Sequence, residues 1–347
     1  TPRLSSAASD VYKRQLQPGF YTVVYSYLGH GSISRAIQLN KDITLNIELA
    51  ETSLELEEVT VSAERPNANV SNLETGSTRL PIQTIRKIPA FLGEVDVIKA
   101  IQLLPGVQVT SEGSSGFSVR GGGRDQNLIL LDEATVYNAS HLIGFFSVFN
   151  NDAIKDVKLY KGDIPASAGG RLASLLDVRM KEGNRKQFAA SGGIGTIASR
   201  LTLEGPIVSD KVSFLLAARR TYADLFLKLS RDETINQNRL YFIDLNGKVN
   251  YIVNDRNRVY FSSYYGRDVF ANDFAGMYFG NRTFTLRWNH LFSQKLFSNF
   301  TLVNSHYFYD LGTPEGSSQY FNWMSMLDDY GAKGDFIWYP SPDHTFR

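Results

Sequence analysis

Residues 241–251 read YFIDLNGKVNY, and this stretch decides the fold class of the second half of the chain. The apolar Ile243 and Leu245 alternate with the polar Asp244 and Asn246. A period of two residues is typical of a β-strand that has one apolar face and one polar face. The stretch therefore predicts a strand.

The same alternation recurs at residues 283–292 and 329–338, where one face is again strongly polar. Other segments are strand-like by composition, and up to about eight strands are readable in the second half. These segments are residues 212–218, 259–265 and 297–309.

Composition limits the classes of protein to which the chain can belong. It has 347 residues, and 36 Lys and Arg almost balance 35 Asp and Glu, so it lacks the basic excess typical of nucleic-acid-binding surfaces. It has no cysteine, which excludes disulfides, thiolate metal sites and cysteine nucleophiles. No segment approaches the roughly 18 apolar residues of a membrane-spanning helix.

The aromatic residues are unevenly distributed along the chain. Only 12 lie among residues 1–185, whereas 31 lie among residues 186–347. The predicted connections there alternate between short turns and long irregular stretches, as in outer-membrane β-barrels. A secreted β-sandwich with uneven loops is the alternative. The predicted turns are residues 206–211, 254–257, 293–295 and 340–343, and the predicted long stretches are residues 222–239, 269–281 and 311–328.

The first half predicts a small α+β domain. Residues 94–104 place apolar side chains on one helical face, and Pro105-Gly106 ends this predicted helix. The predicted strands are residues 117–120, 127–131, 154–160 and 175–180.

Six sequence words in this half resemble those of the TonB-dependent outer-membrane receptors. The words are EEVTVSA at 57–63, AIQLLPGV at 100–107, FSVRGG at 117–122, LLD at 130–132, VKLYKG at 157–162 and GGRL at 169–172. The resemblance implies a box that binds TonB, a plug domain and a large antiparallel transmembrane β-barrel. Residues 133–138 depart from the family's usual Gly-x-Pro continuation, which warns against copying a substrate class.

The resemblance also implies a domain order and a set of site residues. The segments are 1–15, which resembles a translated adapter artefact; 16–50, which resembles the C-terminal half of a carboxypeptidase-regulatory-like β-sandwich; 51–65, a linker with the TonB box; 66–185, the plug; and 186–347, the N-terminal part of the barrel. We expect truncation at both ends. The predicted site residues are Glu58, Val59, Thr60, Val61 and Ser62 in the TonB box; Arg120, Gly121, Gly122, Asp132, Gly170 and Arg171 in the plug framework; and Tyr137, Asn138 and His141 at the substrate.

Two of these expectations have plainer alternatives. Arg120 could bind an anionic ligand, but we expect it to be buried and paired with a carboxylate of the plug or barrel wall. The stretch 137–146 could line an extracellular vestibule, or Leu142, Ile143, Phe145 and Phe146 could simply pack the plug.

Sequence patterns give no support for catalysis or for a bound cofactor. Gly121–Gly123 is not followed by a phosphate-loop lysine, the five His have no metal-ligand spacing, and no catalytic triad or carboxylate pair is recognisable. We therefore predict a non-enzymatic chain with no metal and no cofactor.

The predicted function is energised uptake of a scarce substrate across the outer membrane of a Gram-negative bacterium. The expected partners are TonB with its inner-membrane energising complex, outer-membrane lipid, an unidentified small substrate (a metal chelate, glycan or peptide) and a surface lipoprotein, but no nucleic acid. A passive porin or adhesin barrel and a soluble β-sandwich accessory domain are the alternatives.

Overall fold

The computed structural model describes residues 18–25, 33–41, 43, 45, 47, 76–89, 94–111, 114–314, 316–341 and 344–347. The chain divides into two compact units, Thr1–Ser71 and Asn72–Arg347. In the first unit, strands β1 (Gly19–Tyr25) and β2 (Ile33–Leu39) form an antiparallel pair. Membership of this pair in a regulatory-like sandwich stays a prediction.

The second unit begins with a small mixed domain, residues 76–180, built on a five-stranded sheet. The strand order is β3-β10-β11-β6-β7, and β11 runs parallel to β6 while the other neighbours are antiparallel. The α+β prediction is confirmed. The elements are β3 Ser77–Pro81, α1 Ile82–Ile85, α2 Val97–Gln102, β4 Val107–Val109, β5 Phe117–Val119, β6 Asn127–Leu131, β7 Ala134–Thr135, β8 Ser140–His141, β9 Phe146–Ser147, β10 Ile154–Tyr160 and β11 Ser174–Met180.

Helix α2 is shorter than the predicted 94–104, because Asp96 caps its N-terminus. The Asp96 Oδ1 accepts hydrogen bonds from the backbone N–H groups of Ile98 at 2.8 Å and Lys99 at 3.1 Å. The buried face of α2 carries Ile98 and Ile101 into the core of the mixed domain.

A nine-stranded antiparallel sheet follows, in which every strand pairs with its neighbours in sequence. Two short helices, α3 (Ala223–Leu227) and α4 (Glu233–Asn236), lie between β14 and β15. We call this sheet the long-strand sheet. Its strands are β12 Ala189–Ile194, β13 Ala198–Val208, β14 Val212–Thr221, β15 Arg239–Asn254, β16 Asn257–Ala271, β17 Gly276–Ser293, β18 Leu296–Gly312, β19 Asn322–Ser341 and β20 His344–Phe346.

Most predicted connections match the strand ends, but one does not. Residues 222–238 and 313–321 are long connections, whereas the irregular stretch predicted at 269–281 is wrong. Strands β16 and β17 run through it and leave only residues 272–275 between them. The Asn272 side chain closes this turn by accepting hydrogen bonds from two following backbone N–H groups, each at 2.9 Å.

The two faces of the long-strand sheet have opposite polarity to those of a water-soluble sandwich. Leu215 and Tyr264 face inward and join the core of the mixed domain, alongside polar residues such as Asn246. The outward face carries exposed Leu245 and Trp288. An apolar outer face and a polar inner face are the pattern of a membrane barrel.

Of the helices that lie within the described residues, none has the length and hydrophobicity to cross a membrane.

Residues 181–188 join the mixed domain to the long-strand sheet and are fixed at their first positions. The Lys181 N–H donates to the carbonyl oxygen of Ala153 at 2.8 Å, and the Ser213 hydroxyl donates to the carbonyl oxygen of Glu182 at 2.8 Å. Gly183 has a φ of +71°, and a Cβ there would lie 2.3 Å from the carbonyl oxygen of Phe214. This position therefore requires glycine.

Candidate functional site

A tight turn of the mixed domain inserts against the inner face of the long-strand sheet. The turn lies between β8 and β9, and its residues Leu142 and Ile143 have positive φ values of 47° and 57°. Such conformations cost about 1–3 kcal/mol each for residues other than glycine. The Leu142 N–H donates to Asp268 Oδ1 of β16 at 2.8 Å, which helps to hold the turn in this conformation.

His141, at the start of this turn, is bound on both ring nitrogens by carboxylates of the sheet. Its Nε2 lies 2.7 Å from Asp244 Oδ1 and its Nδ1 lies 2.6 Å from Asp268 Oδ2. The ring is only 1% exposed and stacks on Phe242 with a centroid separation of 4.0 Å. Burial lowers the pKa of His141, but the two carboxylates outweigh burial and raise it to about 9. Both nitrogens therefore donate, and the ring is an imidazolium at neutral pH.

Arg219 of β14 completes the arrangement around Asp244. Its Nε and Nη2 lie 2.9 Å and 2.6 Å from Asp244 Oδ2, and its Nη2 also donates to the carbonyl oxygen of Ser147 at 2.7 Å. The Tyr264 hydroxyl donates to Asp244 Oδ1 at 2.8 Å, and Glu94 of the mixed domain lies 3.8 Å from Arg219 Nη1. We call the following residues the His141 cluster: His141, Arg219, Asp244, Tyr264 and Asp268.

A second charged contact lies further along β15. Lys248 Nζ donates to Asp132 Oδ2 at 2.8 Å and to the carbonyl oxygen of Met180 at 3.0 Å, while the Met180 N–H donates to Asp132 Oδ1 at 3.1 Å. The neighbouring Glu133 pairs with Arg287 of β17 at 2.8 Å. Asp132 thus binds a cation of the sheet and also connects β6 to β11.

A third contact consists of hydrogen bonds without an ion pair. The Tyr137 N–H donates to Asn281 Oδ1 at 3.1 Å, and Asn281 Nδ2 donates to the carbonyl oxygen of Asn138 at 2.8 Å. The Tyr137 hydroxyl donates to Asp329 Oδ2 of β19 at 3.3 Å. The three contacts together fix the mixed domain on strands β14 to β19.

Comparison with protein families identifies the mixed domain. Residues 81–174 match the family model described as "TonB-dependent Receptor Plug Domain". The chain carries a TonB-dependent receptor plug. We therefore call the mixed domain the plug domain and the long-strand sheet the barrel sheet. Plug domains occur in receptors and transporters rather than enzymes, and the chain is an outer-membrane protein of a Gram-negative bacterium.

Solved structures share this fold of plug and barrel strands. The siderophore receptor PirA from Acinetobacter baumannii matches with a TM-score of 0.56 and 15% identity, over 76% of this chain and 45% of that chain. A variant of the ferric enterobactin receptor PfeA from Pseudomonas aeruginosa gives a TM-score of 0.55, 14% identity and coverage of 77% and 46%. The outer membrane transporter YddB from Escherichia coli matches with a TM-score of 0.55 and 15% identity, over 76% of this chain and 45% of that chain. The chain thus spans less than half the length of these structures. No curated protein sequence matches it.

The predicted glycines of the plug domain lie where the backbone requires them. Gly121 and Gly170 have φ values of +81° and +94°. A Cβ on Gly122 would lie 2.3 Å from the Cβ of Ala173. Arg171 is exposed, and among the described residues its hydrogen-bond acceptor is the carbonyl oxygen of its neighbour Gly170.

The expectation for Arg120 is wrong. Arg120 is exposed, has a φ of +49° in the turn after β5, and forms no ion pair with any described residue. The GG pair that follows it forces a sharp turn, which directs the side chain over Gly162 instead of towards the barrel sheet. Buried cations that the barrel sheet contributes to this interface include Arg219 and Lys248.

The predicted substrate residues are all engaged by the barrel sheet. Tyr137 and Asn138 are half-buried, and their contact with a substrate stays a prediction. The buried His141 has no free ring nitrogen to offer, so we assign it to the attachment of plug to barrel. The packing alternative holds for the buried Phe146, whereas Ile143 and Phe145 are 64% and 53% exposed.

Sequence reasoning missed the barrel partners of the plug domain. The alternation in β15 places Asp244 and Lys248 on the polar face, but the chain gives no local indication that each binds a plug residue more than 100 positions earlier. Arg219 and Asp268 lie just beyond the C-terminal ends of the predicted strand segments 212–218 and 259–265.

The proposed TonB box, residues 58–62, lies outside the described residues. Within the described part of the chain, no group of three or more His, Asp or Glu side chains is arranged to hold a metal ion.

Proposed function

We propose that the receptor to which this chain belongs imports a scarce substrate across the outer membrane and draws its energy from TonB. The observation that carries the proposal is the attachment of the plug domain to the inner face of the barrel sheet by buried ion pairs. A plug held in this way blocks passage until it moves. A passive porin would have no use for such a domain.

The ion pairs set the scale of the work that TonB must supply. Removing one partner from a buried pair costs about 3–5 kcal/mol, because the remaining charge is left uncompensated. Moving the plug domain separates His141 from two carboxylates and Lys248 from a third. Water that enters the gap offsets part of this cost. Spontaneous opening is therefore rare, and mechanical work from the inner-membrane energising complex makes it frequent.

The proposed coupling segment is Glu58, Val59, Thr60, Val61 and Ser62. Its consecutive β-branched residues favour an extended strand. Such a strand can add to an exposed sheet edge of TonB through main-chain hydrogen bonds. Backbone N–H groups would then matter more than the side chains.

The substrate class is open to direct test. The solved relatives PirA and PfeA are described as receptors for siderophores and ferric enterobactin, but identities of 14–15% support only a shared fold. Ferric chelates are the first probes, followed by glycans and peptides. We propose Tyr137 and Asn138 as substrate contacts, since both lie on the plug side of the contact with β17.

Proline substitution tests energy coupling without knowledge of the substrate. In the full-length receptor, Val61→Pro should abolish capture of the purified periplasmic domain of TonB, whereas Thr60→Ser should retain it. Both variants should insert normally and show the same heat-modifiable migration. Undiminished TonB capture by Val61→Pro would remove this segment as the coupling box.

A further inference from the structure

The inner face of the barrel sheet becomes apolar at the strand ends that carry the long connections 222–238 and 313–321. The register places four apolar side chains in one row across β15 to β18, and these are Leu240, Phe270, Met277 and Leu311. Side chains alternate between the two faces of a strand, and Phe270 lies two positions beyond Asp268, whose carboxylate binds His141. The row therefore faces the lumen.

This row differs from the lumen-facing positions nearer the plug domain. Those positions carry polar side chains such as Asn281, Thr283 and Ser305, as expected for a barrel with a polar interior. The apolar row is also accessible, because Phe270 is 37% exposed and the other three side chains are half-buried. Accessible apolar surface with polar surroundings is typical of a binding site.

A cavity of about 370 Å³ opens over the row. Leu227 of helix α3 contributes to its lining, together with the polar Asn238 and Arg239. A dry cavity of about 150 Å³ lined by Leu, Ile and Phe side chains holds one benzene molecule. The cavity over the row is therefore large enough for a group of one or two rings. Met277 adds a flexible thioether, which adapts to the shape of such a group.

An aromatic surface connects this cavity with the substrate contacts proposed on the plug domain. The ring centroids of Tyr137 and Tyr307 are 6.5 Å apart. Tyr309, two positions further along β18, stacks on Phe279 with a centroid separation of 6.5 Å. The Tyr309 hydroxyl lies 3.5 Å from the Sδ of Met277 in the cavity wall. A molecule held at Tyr137 can therefore extend along aromatic rings into the cavity.

We propose that this cavity binds an aromatic group carried by the transported substrate. The inference rests on the proposed function and narrows its substrate class to molecules that bear such a group, whether a ferric chelate or a peptide, and it excludes unsubstituted glycans. The ring of Phe270 offers a face for offset stacking. Membrane lipid is not the occupant, because the row faces the lumen. Binding here precedes any movement of the plug domain.

Two ferric complexes that differ in one substituent test the proposal. Tris(benzohydroxamato)iron(III) and tris(acetohydroxamato)iron(III) are both neutral, and each hydroxamate carries a phenyl group in the first and a methyl group in the second. Purified full-length receptor in lipid nanodiscs is dialysed to equilibrium against each complex, and bound iron is measured by mass spectrometry after subtraction of empty nanodiscs. The phenyl complex should bind at least about tenfold more tightly, because one ring leaves water.

A pair of peptides provides the same comparison without iron. Gly-Asn-Phe-Asn-Gly and Gly-Asn-Ser-Asn-Gly differ only in the central side chain. A preference for the aromatic member in the iron pair alone supports a chelate, and a preference in the peptide pair alone supports a peptide. The absence of an aromatic preference in both pairs would overturn the proposal. The dialysis contains no TonB, so its result is independent of the energy coupling that Val61→Pro tests.

Substitutions then locate the binding site. Met277→Gln with Leu311→Asn keeps the size of both side chains but makes the row polar, and it should reduce the aromatic preference to below about threefold. Met324→Gln with Met326→Gln is the matched control, because these side chains lie on the outward face of β19 and are 56% and 59% exposed. The control should keep the full preference, and both double variants should show heat-modifiable migration. A preference that survives the first double substitution, or that falls equally in the control, would contradict the assignment.

Discussion

Replacing His141 with glutamine measures how strongly the plug domain is held on the barrel sheet. Glutamine has a similar size but carries no charge, so it cannot balance both Asp244 and Asp268. The pKa of His141 rises from 6.5 to about 9, and each pKa unit corresponds to about 1.4 kcal/mol. The lost attachment is therefore about 3 kcal/mol, most of which is present at neutral pH.

The pH dependence has a definite sign. Because the pKa of His141 is higher in the closed plug than in the opened one, protonation stabilises the closed state. This stabilisation is fully present below pH 6.5 and is lost as the pH rises through about 9. The wild-type receptor should therefore hold its plug domain less firmly at pH 10 than at pH 6, whereas His141→Gln should lack this component.

Hydrogen exchange of residues 140–148 reports the free energy of local opening directly. A loss of about 3 kcal/mol corresponds to protection factors roughly 150-fold lower in His141→Gln than in wild type at pH 6–7. His306→Gln is the control, because its ring lies 2.7 Å from an Asp328 that is 47% exposed, and surface pairs contribute about 0–1 kcal/mol. A change below threefold in His141→Gln, or identical pH profiles of protection in both receptors, would refute the reasoning.

Three further predictions concern other parts of the structure. Lys248→Met leaves the buried Asp132 without its ion-pair partner, and it should lower the free energy of plug opening measured by hydrogen exchange by about 3–5 kcal/mol. Adding Asp132→Asn to this variant should recover part of the loss. Gly122→Ala places a methyl group 2.3 Å from a neighbouring side chain and should destabilise the plug by about 1–3 kcal/mol, seen as a lower thermal midpoint for plug exchange; an unchanged midpoint would contradict it. Epitope tags should be stained on intact cells in the connection 313–321 but not in the turn 255–256, and the reverse result would invert the topology.

Local patterns predicted the parts of the fold that local chemistry determines. Strands β6 (Asn127–Leu131) and β10 (Ile154–Tyr160) match their predicted bounds. The first is a short and mainly apolar run, and the second intersperses apolar with charged residues. Strand β12 (Ala189–Ile194) was not recognised, since AASGGI has few of the branched or aromatic side chains that indicate a strand.

The candidate site could be predicted only in part, because its contacts join distant parts of the chain. Tyr137, Asn138 and His141 were recognised as polar and aromatic residues leaving a hydrophobic strand. Their partners Asn281 and Asp268 are set by the register of the barrel strands, which no short segment encodes. Arg120 was expected to be buried and paired with a carboxylate, but the turn after β5 leaves it exposed.

Residues 181–188 limit how the lumen can open. Eight residues span at most about 29 Å when fully extended, and their first positions are already fastened to β14. The plug domain is therefore joined to the barrel sheet by a short linker at its C-terminal side and cannot separate from it as a free body. A force applied on its N-terminal side meets β3 before it reaches the centre of the sheet, because β3 is the edge strand of this sheet among the described residues and pairs there with β10. We therefore expect opening to begin with separation of β3 from β10. The N-terminal part of the plug domain would then unfold stepwise while its C-terminal linker stays bound to β14.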